Sequence, residues 1–218
     1  MGDPDRLPAE TLSPLAARVD EVLALYGYEM TPAIDAIDTA VAGYGGLFDP
    51  ETTDSELRTA LDEVLAAGSP VPSESTAVDD CSHIVLYVDG SSRGNPGPAG
   101  AGAVLQTEET TLAKLGRPVG AQTDNNTAEY AALQLGLDAL TRRYEPSSVE
   151  IRIDSMTVIE DIWGVEERAE SITPYSPAIT AHLATLPAHE WTHLADSDPN
   201  PADARATVGA DIAELGPG

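Results

Sequence analysis

An apolar run, Ile84-Val85-Leu86-Tyr87-Val88, is closed by an acid, Asp89, and then by Gly90-Ser91-Ser92-Arg93-Gly94-Asn95-Pro96-Gly97-Pro98-Ala99-Gly100. The run reads as a buried strand and the segment after it as a loop with almost no bulk. An unpaired carboxylate in an apolar setting costs several kcal/mol, so stability does not explain an acid there. An acid beside a backbone stripped of side chains points to a metal ion and a ligand that approaches the main chain.

The rest of the chain is organised around this strand. Residues 1–69 carry apolar residues at helical spacing. One helix is expected from Pro8 to about Tyr26, a second from Thr31-Pro32 to the glycines at 43–46, and a third from Thr53 or Asp54 to Gly68. Residues 70–82 have linker composition. From His83 the pattern changes to strands at 84–89, 100–106 and 110–117. A helix follows over 127–144, a strand over 149–154, helices over 155–163 and 173–186, a strand over 188–194 and a helix over 202–215. The expected class is therefore α/β, a mixed five-stranded sheet with helices on both faces and a small all-α region before it.

Composition narrows the function classes. No apolar run approaches the length of a membrane span, and Met1 to Arg6 do not read as a secretory signal, so a cytoplasmic protein is expected. The single cysteine, Cys81, excludes an internal disulfide and a cysteine-based zinc site. The net charge is −26, with one lysine, Lys114, in the whole chain. Residues 1–80 hold 17 acids and 3 bases, so the excess is spread along the chain rather than gathered in a tail. This is the composition of a protein adapted to a salt-rich cytoplasm, where a Debye length of about 3 Å at 1 M screens self-repulsion.

Three more acids share the setting of Asp89. Glu129 lies in Asn125-Asn126-Thr127-Ala128-Glu129, in line with Leu133, Leu137 and Leu140 on one helix stripe. Its competing reading is a capping box with Asn126 as N-cap. Asp154 closes the strand Ile151-Arg152-Ile153, as Asp89 closes the first; its competing reading is a helix N-cap. Asp203 opens the last helix, where an acid also suits the helix dipole.

In their order, and with the Asp89–Gly97 loop and the Asn125-Asn126 pair, these residues resemble the type 1 ribonuclease H family over about residues 83–215. The resemblance implies a ribonuclease H-like fold and an endonuclease that cuts the RNA strand of RNA–DNA hybrids, leaving 5′-phosphate and 3′-hydroxyl ends. It implies that Asp89, Glu129, Asp154 and Asp203 hold two divalent ions, Mg2+ or Mn2+. It further implies that Ser92, Gly94, Asn95, Asn125 and Asn126 contact the minor groove and its 2′-hydroxyls, the groups that distinguish RNA from DNA. A nuclease of the same fold acting on double-stranded RNA or RNA–DNA junctions, and a non-catalytic binding module, are the alternatives.

The sequence departs from that family in places. His193 lies ten residues before Asp203 and reads as part of the last strand. Residues 164–172 are acidic where some members carry a basic protrusion. Arg205 stands where an apolar residue is usual, which leaves Asp198 as the alternative fourth acid. The acidic N-terminal helices do not resemble a hybrid-binding domain and are open to an unknown protein partner. A monomer is expected.

Overall fold

Antiparallel pairing carries the Asp89 strand three residues past the acid. The computed structural model describes residues 7–68, 83–162, 175–195 and 197–216. The expected linker at 70–82, Cys81 and the acidic segment 164–172 lie outside the described residues.

Strand β1 (His83–Ser92) pairs with β2 (Gly97–Gln106) as far as Ser92 opposite Ala99. Asp89 therefore lies within β1 rather than at its end. What ends near the acid is the parallel pairing of β1 with β4 (Ser148–Ile153), whose last pair is Tyr87 with Arg152. Strand β3 (Thr111–Thr123) is also longer than expected, and the sheet order is β3-β2-β1-β4-β5, with β5 at His189–His193.

Helices α4 (Asn125–Arg143) and α7 (Asp203–Ala213) cover opposite faces of this sheet. On the α4 face, Gly136 approaches Leu86 so closely that an added Cβ would lie 2.6 Å from it. On the α7 face, Gly100 and Gly102 of β2 let the helix backbone touch the strand: a Cβ on Gly100 would lie 2.2 Å from Ala210 N. The shorter helices α5 (Met156–Ile162) and α6 (Ser176–Thr185) follow β4. No helix among the described residues is long and apolar enough to cross a membrane.

The N-terminal helices are α1 (Pro14–Leu25), α2 (Met30–Ala40) and α3 (Asp54–Ala67). The first starts six residues later than its periodicity predicts. Ser13 precedes a proline, which favours extended backbone, and it is extended at φ −60° and ψ 158° while its side chain caps Ala16 N. Residues before it are thereby free to run along β3, where Glu10 N donates to Val119 O at 2.8 Å and Ala121 N donates to Thr11 O at 3.0 Å. Helix α2 begins one residue before Thr31 because Pro32, in the first turn, lacks only an N–H that has no partner there. Helix α3 opens on a full capping box of Thr53 and Glu56.

These contacts cover the outer edge of β3, which would otherwise present unpaired backbone groups. Gly116 N donates to Tyr28 O at 3.1 Å, and Glu29 bridges to Leu115. Leu15, Val19 and Leu23 of α1 belong to the same continuous apolar core as Leu86, Leu115 and Leu133. Under this interface Arg117, 1% exposed, faces Asp20, which is fully buried, at 3.6 Å. The same guanidinium donates to Leu7 O and lies over the Tyr28 ring.

Candidate active site

Asp89 and Asp154 reach the site from adjacent parallel strands, and Glu129 from the first turns of α4. Carboxylate oxygens of all three lie within 4.8 Å of one another. Asp89 and Glu129 are buried, and Asp154 is exposed. Three acids this close raise one another's proton affinity. Burial, then Asp154, then Asp203 push the Asp89 carboxyl up to about 7. Burial, then Asp154 and Asp89, hold the Glu129 carboxyl well above the ordinary carboxylate range, against hydrogen bonds from Gly90 and Asn125.

The local sequence explains the placement of Glu129. The N-cap of α4 is Asp124, whose Oδ1 accepts from Thr127 N at 2.8 Å, and not Asn126. Glu129 thus lies beyond the capping positions, and the capping-box reading is corrected. Its carboxylate is 4% exposed, accepts from Asn125 Nδ2 at 3.4 Å, and has one oxygen, Oε2, with no hydrogen-bond partner. Nor does Asp154 cap α5, where Ser155 Oγ accepts from Val158 N at 3.4 Å.

Gly90 permits this approach. A Cβ there would lie 2.4 Å from Glu129 N and 2.6 Å from Ala128 C. Gly90→Ala is therefore expected to displace the start of α4. Overpacking of this kind costs about 1–3 kcal/mol, and a shift of ~1 Å at a reacting centre costs on the order of 100-fold in rate. Thermal unfolding and a single-turnover cleavage assay check both; an unchanged rate would mean that the Glu129 position does not matter.

Comparisons with known proteins agree with this geometry. The sequence profile of the RNase H family matches residues 82–185. A bifunctional protein of Mycobacterium tuberculosis is 42% identical over 83 residues, which are 37% of this chain and 22% of that protein. The chain spans under half the length of several curated relatives, for example 47% of a ribonuclease H of Polaromonas naphthalenivorans. Ribonuclease HI of Halobacterium salinarum is 31% identical over 144 residues, covering 60% of this chain and 71% of that protein. The chain belongs to the type 1 ribonuclease H family. The crystal structure of the Halobacterium ribonuclease H1 superposes with a TM-score of 0.54 at 30% identity, over 59% of this chain and 98% of that one. LC11 ribonuclease H1, solved in complex with an RNA/DNA hybrid, gives 0.52 at 31% identity, over 59% of this chain and 96% of that one.

Ribonucleases H use divalent metal ions, and the residues here fit them. Hard cations take carboxylate oxygens. The unpartnered Glu129 Oε2 and the crowded, proton-hungry carboxylates are what a cation would satisfy. The fourth acid is less closely held. Asp203 is exposed at the first residue of α7, and its charge reaches Asp89. Asp198, by contrast, is engaged in its own turn, where its Oδ2 accepts from Ala195 N at 3.0 Å.

The residues expected to meet substrate occupy the same end of the sheet. Ser92 Oγ lies 3.0 Å from Thr123 O and close to Gly94 O, two acceptors for its single proton, so the end of β1 is tied to the end of β3, two residues before α4. Gly94 adopts φ +110°, a value that favours glycine. Asn95 and Asn125 are exposed and Asn126 half-buried. Arg93, the positive charge of this loop, pairs with Asp211 and, at 3.9 Å, with Glu214 of the α7 C-terminus. His193 Nε2 lies 3.1 Å from Asp154 O, at the end of β5. One site residue escaped the sequence reading: Asn200, whose Nδ2 lies 3.3 Å from Asp89 Oδ1. Its only signal is an Asn between two prolines shortly before Asp203.

Proposed function

We propose that this protein hydrolyses the RNA strand of RNA–DNA hybrids, leaving 5′-phosphate and 3′-hydroxyl ends. The observation that carries this reading is the convergence of carboxylate oxygens of Asp89, Glu129 and Asp154 within 4.8 Å of one another. LC11 ribonuclease H1, similar in fold and sequence, was solved with an RNA/DNA hybrid.

Asp89, Glu129 and Asp154, with Asp203, would hold two ions, Mg2+ or Mn2+. When bound, these supply a water activated for in-line attack and stabilisation of the leaving 3′-oxygen. Asp89 and Glu129 hold their oxygens in a desolvated corner, where electrostatic interactions are stronger than in water. Asn125 donates to Glu129 and orients it. Ser92, Gly94, Asn95, Asn125 and Asn126 offer hydroxyl, amide and backbone groups to the 2′-hydroxyls of a minor groove.

The test is cleavage of hybrid, double-stranded RNA and double-stranded DNA, with Mg2+ or Mn2+, from low to molar KCl. Cleavage of hybrid alone is expected. Cleavage of double-stranded RNA at equal rate would replace the hybrid reading with the broader nuclease, and no cleavage under folding salt would favour a binding module.

The charge of −26 supports adaptation to a salt-rich cytoplasm. With Arg93 already paired, little free positive charge lies near the loop, so bound cations must offset much of the substrate's charge. The melting temperature is expected to rise by roughly 10 °C or more between dilute buffer and 2 M KCl as self-repulsion is screened. A salt-independent melting temperature would refute the adaptation.

A further inference from the structure

We infer that Asn200 is a positioning residue that holds the Asp89 carboxylate for the metal ions and sets its spacing from Asp203; this rests on the reading of the acid cluster as a metal site. Parallel pairing between β1 and β4 stops at Tyr87 with Arg152, one residue before Val88. The Val88 carbonyl is taken by Asn200 Nδ2 at 2.9 Å. The same amide nitrogen lies 3.3 Å from Asp89 Oδ1, so one NH2 group spans the backbone and side chain of adjacent residues. An amide carries two donors in a plane, which suits these two acceptors.

The other end of Asn200 is tied to α7. Its Oδ1 accepts from Ala202 N at 3.1 Å, and its backbone carbonyl accepts from Asp203 N at 3.2 Å. The amide orientation follows from this network, because the reverse would set an oxygen against Val88 O and Asp89 Oδ1, both acceptors. Asn200 thus joins the strand that carries Asp89 to the helix turn that carries Asp203. No other contact described for Asp89 fixes its carboxylate through a side-chain donor. Asn200 also donates to an acid crowded by like charges without adding charge, which an aspartate in its place could not do.

The experiment measures the Mg2+ and Mn2+ dependence of the melting temperature for the full chain in molar KCl. It compares wild type, Asp89→Asn, Asn200→Ala, Asn200→Asp and Asn200→Ser, with kcat and KM on hybrid measured in parallel. Partners that orient metal ligands contribute on the order of 10–100-fold in metal affinity. Asn200→Ala is expected to raise the metal midpoint at least about tenfold and to lower kcat more than it raises KM. Asn200→Ser can still accept from Ala202 N but cannot span to Val88 O and Asp89. It separates bracing of the turn before α7 from positioning of Asp89, and it keeps the test open should Asn200→Ala not fold. A metal midpoint in Asn200→Ser equal to that of wild type, with only the metal-free melting temperature lowered, would show a role in the turn before α7 alone and overturn the inference. If wild type itself shows no metal-dependent shift that Asp89→Asn removes, the metal-site reading fails and this inference fails with it.

Discussion

Asp89→Asn is expected to lower hydrolysis of the hybrid at least about 1000-fold while raising the melting temperature of the metal-free protein at neutral pH. The rate loss follows because a bound ion contributes several kcal/mol to transition-state stabilisation, and ~1.4 kcal/mol is tenfold in rate. The stability gain follows from the proton affinity of the site. The folded-state pKa of Asp89 is raised from 3.8 to about 7, chiefly by burial. Below pH ~4 the carboxyl is protonated in folded and unfolded chains alike and contributes nothing to the balance. Between pH ~4 and 7 the unfolded chain releases its proton while the folded one keeps it, so the folded state loses stability as pH rises. Above 7 both are ionised and the full cost, a few kcal/mol, is present. The melting-temperature advantage of Asp89→Asn is therefore expected to be near zero at pH 4 and to reach a plateau above pH 7. Saturating Mg2+ should reverse it, because the ion stabilises only the carboxylate-bearing site. Thermal unfolding at several pH values, with and without Mg2+, reads all of this. A variant that still cuts hybrid, or that melts below wild type at pH 8 without metal, would remove Asp89 from the site.

Arg117→Met is expected to lower stability by about 3–5 kcal/mol, because it removes the buried guanidinium that faces the buried Asp20 charge at 3.6 Å. For a chain of 218 residues, that corresponds to roughly 10 °C in melting temperature. The guanidinium also donates to Leu7 O and Pro118 O and covers Tyr28, so the loss extends to these contacts as well. Replacing both partners, Arg117→Met with Asp20→Leu, should restore much of the loss, since an apolar pair of similar volume avoids the desolvation penalty. Molar salt should not close the gap between the single variant and wild type, because a buried charge is little screened. Denaturation curves of the two single variants and the double form the cycle. A single-variant loss under about 1 kcal/mol would mean that the N-terminal region docks through its apolar face and backbone hydrogen bonds without help from the buried pair. The same measurement bears on function, because Glu10 and Thr11 lie against the part of β3 that leads to Asp124 and the Asn pair.

Some features of this protein are written locally, and these were legible in the sequence. An apolar run closed by an acid marks β1 and β4. The helix stripe through Leu133 and Leu137 places Glu129 on the buried side of α4. Backbone without a side chain at Gly90 signals the close approach of α4. Where local signals compete, the structure decided between them. Asp124, not Asn126, caps α4, because the helix begins two residues earlier than its apolar stripe shows. Residues 8–12 fall within the expected helix, yet they lie along β3, because Pro14 holds Ser13 extended and the open strand edge supplies the hydrogen bonds.

By itself the sequence determined the order of strands and helices and the extreme charge, since each depends on the residues themselves or on neighbours within a few positions. Only the tertiary structure decided which groups complete the site. Asn200 meets Asp89 across 111 residues of chain. Asp20 meets Arg117, and the N-terminal helices meet the β3 edge, through contacts just as remote. No spacing rule encodes such pairs; burial makes them, because a polar group removed from water must find its partner wherever the fold delivers one.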